Sequence, residues 1–176
     1  DLGANPIEDV EHTTGAWALR LLLATLAVTP PRRLTGWQAI GTQRRTLGLF
    51  AFGYSSAHFL TWSVLDNGLD FTAIIEDIGK RPFVTVGFTA FVLLIPLAAT
   101  STRASIKRLG KRWIQLHRLI YVVAVLGVFH FFWLVKKDLR PPMGYAVVLA
   151  LLLGARVWSR YSKSRSSTVR RPSARA

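Results

Sequence analysis

Residues 113–135 read WIQLHRLIYVVAVLGVFHFFWLV, and the reading of this stretch decides the fold. Arg118 is its only formal charge. A helix needs about 20 apolar residues to cross a bilayer core about 30 Å thick, so the stretch reads as a membrane span. Two of the four histidines of the chain, His117 and His130, sit inside it. An imidazole in hydrocarbon costs free energy that only a partner offsets, which makes both residues functional candidates.

Outward from this span, four more apolar runs lie at about residues 14–30, 46–65, 82–100 and 142–158. The fold class they predict is an all-α membrane protein, a bundle of about five transmembrane helices. The first run is the weakest, because Arg20 interrupts it and Pro30 and Pro31 close it early. Residues 1–160 form the membrane domain. Residues 161–176 are a basic tail, too charged and too poor in apolar groups to bury, and are expected to be disordered beside anionic lipid. The opening DLGANPIEDVEH is acidic and does not resemble the basic start of a secretory leader. No internal repeat is evident.

Hydrophobic residues make up 51% of the chain, yet its formal net charge is +14, so charge and apolar runs must be segregated. Such a basic balance raises nucleic acid as a partner, and the distribution of charge argues against it. With the first span running outside to inside, segments 30–46, 101–112 and 156–176 fall inside and carry 4, 5 and 7 Lys or Arg. All nine acids fall outside. That bias is the positive-inside rule of membrane proteins. Trp17, Trp62 and Trp133 then lie near the outer boundary and Trp37, Trp113 and Trp158 near the inner one, as two aromatic belts. The outer loop DNGLDFTAIIEDIGKR spaces Phe71, Ile74, Ile75 and Ile78 as one helical face, which suits a short surface helix.

The chemistry is narrowed by what is missing. There is no cysteine, which excludes disulfides, Cys-held iron–sulfur clusters and covalent haem attachment. Dinucleotide, P-loop and zincin motifs are absent as well. His58, His117, His130 and Arg20 are the polar groups at membrane depth. His58 follows Arg45 by 13 residues and His130 follows Arg112 by 18, so both fall in the outer half, whereas His117 lies only five residues beyond Arg112. His58 and His130 therefore pair. Zinc wants about four ligands and no acid or cysteine lies at that depth. Two facing imidazoles suit the axial positions of a planar haem b. Thirteen residues turn an ideal helix by about 140°, so His117 and His130 serve different partners unless the helix is distorted. His117 is open to three readings: ligand of a second, inner haem, contact for a flavin such as FMN or a quinone, or structural residue. His12, at the outer mouth, reads as an exposed loop residue.

RRTLGLFAFGYSSAHFLTW and GKRWIQLHRLIYVVAVLGVFHFFW, with NPIEDVEHTTG, LLLATLAVTP and LAATSTRASIKRLGKRW in the same order, resemble the ferric-reductase-like transmembrane domain and, more closely, the MsrQ (YedZ) family. The resemblance runs from Asp1 to about Arg160 and implies six spans, the chain opening at the loop after the first. It implies a bacterial inner-membrane protein, N-terminal end periplasmic and C-terminus cytoplasmic, that carries electrons rather than catalysing the final reaction. The cytoplasmic donor would be a flavin reductase or the quinol pool, and the acceptor a periplasmic molybdopterin sulfoxide reductase of the MsrP kind. One haem would be held by His58 and His130. Two-haem relatives place a fourth ligand near Arg44, and arginine cannot ligate iron. Arg20 is open to pairing with a haem propionate, and Arg44, Arg45 and Arg118 to holding a propionate or a flavin phosphate. Gly48, Gly53 and Gly127 admit either a macrocycle or close helix packing. Two other classes stay open: a ferric reductase or oxidase needing a separate flavin subunit, and a non-redox membrane protein.

Overall fold

The computed structural model describes residues 5–28, 39–135 and 138–169, all of them helix or connection. Helix α1 spans Pro6–Ala27 and α2 Ala39–Leu60, the latter continued by a π-helical segment, Thr61–Asp66. Then follow α3 (Phe71–Lys80), α4 (Pro82–Ala99), α5 (Arg103–Leu109), α6 (Lys111–Leu116), α7 (Leu119–Leu134) and α8 (Arg140–Val169).

Local chemistry sets most of the helix ends. Pro6 and Pro82 open α1 and α4 at the first turn, where a missing N–H costs nothing. Glu8 and Asp9 place negative charge at the positive end of α1. The π-helical segment is followed by a turn through Gly68 and Leu69, both at positive φ. Asp70 then caps α3 by accepting from the Thr72 and Ala73 amides at 2.8 and 3.2 Å. This is the expected surface helix, with Ile74 buried and Phe71 and Ile75 exposed.

α1 lies against α2, and α4 against α7. The two pairs share one core, built around Leu22, Leu26, Ala51, Leu94, Val123 and Ala124. α8 closes the bundle against α1 and α7. Its Arg156 is buried, donates to the carbonyls of Leu26 and Leu152, and stands 5.4 Å from the centre of the Tyr121 ring. The last carbonyls of α1 have no partner in their own helix, and this guanidinium supplies one.

Pro82–Ala99, Lys111–Leu134 and Arg140–Ser159 are long and apolar enough to cross a membrane. α1 and α2, at 22 residues each, have the length but are diluted by Glu8, Asp9, Glu11 and Arg20 and by Gln43, Arg44 and Arg45. Phe50, Leu151 and Trp158 are among many large apolar side chains left on the outside of the bundle, as lipid allows. α8 continues through the start of the basic tail to Val169, while residues 170–176, and the loop carrying Pro30, Pro31 and Trp37, lie outside the described residues.

Candidate metal centre

His58 stands near the C-terminal end of α2 and His130 in the last turns of α7. The bundle brings them together edge-on, ring centres 6.3 Å apart and planes at 72°. Each ring is held by a neighbouring helix. His58 Nδ1 is 3.0 Å from the Glu11 carbonyl oxygen of α1, and His130 Nδ1 is 2.7 Å from the Phe83 carbonyl oxygen of α4. A carbonyl oxygen only accepts, so both Nδ1 atoms carry the proton. Nε2 is then left with its lone pair in both rings, the tautomer a metal requires. Two imidazole–metal bonds of about 2 Å, with roughly 1 Å from each ring centre to its nitrogen, span about 6 Å. The observed separation fits one metal ion between the rings. Among the described residues no group of three or more His, Cys, Asp or Glu could hold a metal, so a metal between these rings would take its remaining donors from outside that set.

Glu11, whose carbonyl holds His58, has one carboxylate oxygen buried without a hydrogen bond. Burial pushes its pKa up, and the nearby negative charge of Asp66 adds to the effect.

His117 does not join the pair. It caps the short α6 where the helix breaks before α7, so the ideal-helix geometry linking it to His130 does not hold. Its ring stacks on Trp113 at 3.9 Å between centres, and its Nδ1 bonds the Trp113 carbonyl oxygen at 3.1 Å. Trp113 is itself fixed by its indole N–H donating to the Thr100 carbonyl at 2.9 Å. The Nε2 of His117 is buried and without a hydrogen-bond partner, with the Leu97 carbonyl and the Arg44 guanidinium among its polar surroundings.

The family model of the ferric reductase like transmembrane component matches residues 14–128, a stretch that includes α2 with His58 and ends two residues short of His130. A protein-methionine-sulfoxide reductase heme-binding subunit MsrQ from Xanthomonas campestris pv. campestris (strain 8004) is 54% identical over 166 residues, covering 94% of this chain and 76% of the relative. The MsrQ of Ralstonia nicotianae is 56% identical, over 89% of this chain and 73% of its own length. That of Bordetella pertussis is 52% identical, over 93% and 82%. The chain belongs to the MsrQ family. No solved structure matches it.

Of the other candidate residues, Arg44 is close enough for its charge to act on His117. Arg45 lines an outward groove on α2 with Thr46, Leu49, Phe50, Gly53, Tyr54 and Ala57. Arg20 is exposed, donates to the Tyr145 hydroxyl at 3.0 Å and lies 5.2 Å from the centre of the Trp17 ring. Arg118 is exposed at the helix break. A Cβ on Gly48 would meet Thr25, and one on Gly127 would meet Leu19 and Leu22, so both serve helix packing against α1. The glycines that do touch the histidines are two the sequence did not single out. A Cβ on Gly15 would lie 3.1 Å from the His58 ring, and one on Gly87 2.7 Å from His130 Nδ1.

Proposed function

We propose that this chain is the haem b electron-transfer subunit of a methionine sulfoxide reductase system. The observation that carries the proposal is the His58–His130 pair, at a separation that one metal fits and with both Nδ1 protons committed to backbone carbonyls. A haem bound here would supply a one-electron iron couple, and His58 and His130 would hold its iron, a ligand set that favours electron transfer over oxygen chemistry. The protein's part is to present two Nε2 lone pairs on rigid helices. The Nδ1–H···O=C bonds fix each ring plane and make each imidazole a stronger donor.

Family membership and the segregation of charge along the chain support the following route. Electrons enter at the basic, cytoplasmic face from a flavin reductase or the quinol pool. They leave at the acidic, periplasmic face to a molybdenum-containing partner that reduces methionine sulfoxide. The host membrane is the bacterial inner membrane.

A second station at His117 is supported by its buried, unpartnered Nε2 beside Arg44. That nitrogen suits a second haem iron or the head group of a flavin or quinone.

An absorption spectrum of the purified protein tests the main reading. Low-spin haem bands are expected, and their absence from protein purified with haem available would overturn it.

A further inference from the structure

The two histidine seats are copies of one another. His58 and His130 each donate to a carbonyl 47 positions earlier in the chain. A shift of 72 residues carries Glu11, Gly15 and His58 onto Phe83, Gly87 and His130. The same shift carries the end of α1, Ala27, onto the end of α4, Ala99, and the start of α2, Ala39, onto the start of α6, Lys111. Thr13, Ala18, Leu22 and Phe59 recur as Thr85, Ala90, Leu94 and Phe131. Burial recurs too, with Leu22 and Leu94, Thr25 and Leu97, and Ala51 and Val123 all buried. The chain therefore contains an internal repeat after all, hidden because most of its matching positions are merely apolar. The centre sits where the two copies meet, and parallel repeats of this kind are related by rotation about the membrane normal.

The repeat explains its glycines. In a helix the carbonyl of residue i accepts from the amide of residue i+4, and its second lone pair remains for another donor. Side chains lean toward the helix N-terminus, so a Cβ at i+4 stands over that carbonyl. An imidazole that reaches the Glu11 carbonyl must cross position 15, and one that reaches the Phe83 carbonyl must cross position 87. Both positions are glycine.

We infer that Gly15 and Gly87 are equivalent positioning residues, each reserving the space in which one axial imidazole turns its Nδ1–H to a helix carbonyl and its Nε2 to the shared iron. The inference rests on the haem reading above, and touches neither the iron nor the substrate directly. The copies differ in tightness. At Gly87 an added methyl would lie 2.7 Å from His130 Nδ1, so the ring must move; at Gly15 the closest ring atom is 3.1 Å away, and a small shift suffices.

The test compares full-length wild type with Gly15→Ala, Gly87→Ala and the controls Gly48→Ala and Gly53→Ala, whose added Cβ atoms meet only an ordinary contact and open space. Haem content, the g-values of the low-spin ferric form and the midpoint potential are read, with helix content from circular dichroism. Alanine is the stronger helix former, so loss of signal cannot come from helix propensity. Gly87→Ala is expected to lose the wild-type low-spin signature, and Gly15→Ala to keep its haem with shifted g-values and potential, while both controls match wild type. If Gly87→Ala does not fold, Gly15→Ala decides the question: a shift relative to Gly48→Ala supports the inference and none overturns it. Wild-type values in both variants, or equal loss in the controls, also overturn it. A wild-type protein without bis-imidazole haem would instead sink the haem reading, and this inference with it.

Discussion

His58 and His130 come from different helix pairs, yet each ring is tied through Nδ1 to the backbone of the first helix of its own pair. The two Nε2 atoms are thus aimed by main-chain atoms, which no side-chain substitution removes. What a substitution can change is the ring itself or the space around it.

The first prediction follows directly. His58→Ala and His130→Ala should each abolish the same low-spin haem signal, because a single remaining imidazole leaves one axial position open. Spectra of the two variants check this. A wild-type spectrum from either would break the pairing. Both proteins should keep their helix content, since the helices satisfy their own backbone hydrogen bonds.

His117 should behave independently. Its ring lies at the other end of the same span, stacked on Trp113. His117→Ala should leave the low-spin signal of the His58–His130 pair intact, remove any second haem fraction, and slow reduction by the cytoplasmic donor while a chemical reductant still works. Arg44→His should supply an imidazole beside it and convert a second iron to a low-spin form. Unchanged haem content together with unchanged donor-driven reduction in His117→Ala would return the residue to a structural role.

On α3, the acids do different jobs and should separate in experiment. Asp70 caps the helix, so Asp70→Ala should cost about 1 kcal/mol of local stability. Glu76 pairs with Lys80 on an exposed face and the half-buried Asp77 pairs with the exposed Arg81, and such surface pairs contribute little. Reversing both to lysine should therefore leave haem content and unfolding unchanged and weaken coupled sulfoxide reduction by the periplasmic partner. Coupled turnover equal to wild type would place docking elsewhere.

Arg156→Met should destabilise the bundle by about 1–3 kcal/mol, because the Leu26 carbonyl loses its donor in a buried setting. Unfolding in detergent measures this. Leu26 lies eleven residues along α1 from Gly15, so the haem spectrum of the folded variant should match wild type.

The spans, the helical surface loop and the pairing of His58 with His130 were legible because hydropathy, spacing and depth along a helix are one-dimensional properties. The seats of the rings were not. Gly15 and Gly87 look like any small residue of a packed helix until the carbonyl four positions earlier is seen to accept from a histidine. The repeat was equally hidden, since Thr25 against Leu97 or Ala51 against Val123 share burial but not identity. Arg20 carries a similar lesson: its partner Tyr145 lies 125 positions away, a contact that spacing along one helix cannot give. The break at His117 also escaped notice, because nothing in LHRL is a helix breaker by composition.

The reach of Arg156 to Leu26 spans 130 residues of chain. At a synthesis rate of about 5–20 residues per second, α1 waits roughly 7–26 s at the ribosome before the side chain that closes its end exists. During that interval the growing protein holds a half-finished helix terminus in the membrane, and only the arrival of α8 locks α1. Quality control during biogenesis would therefore meet a vulnerable species in that interval, when both imidazole seats are complete but the bundle is still open.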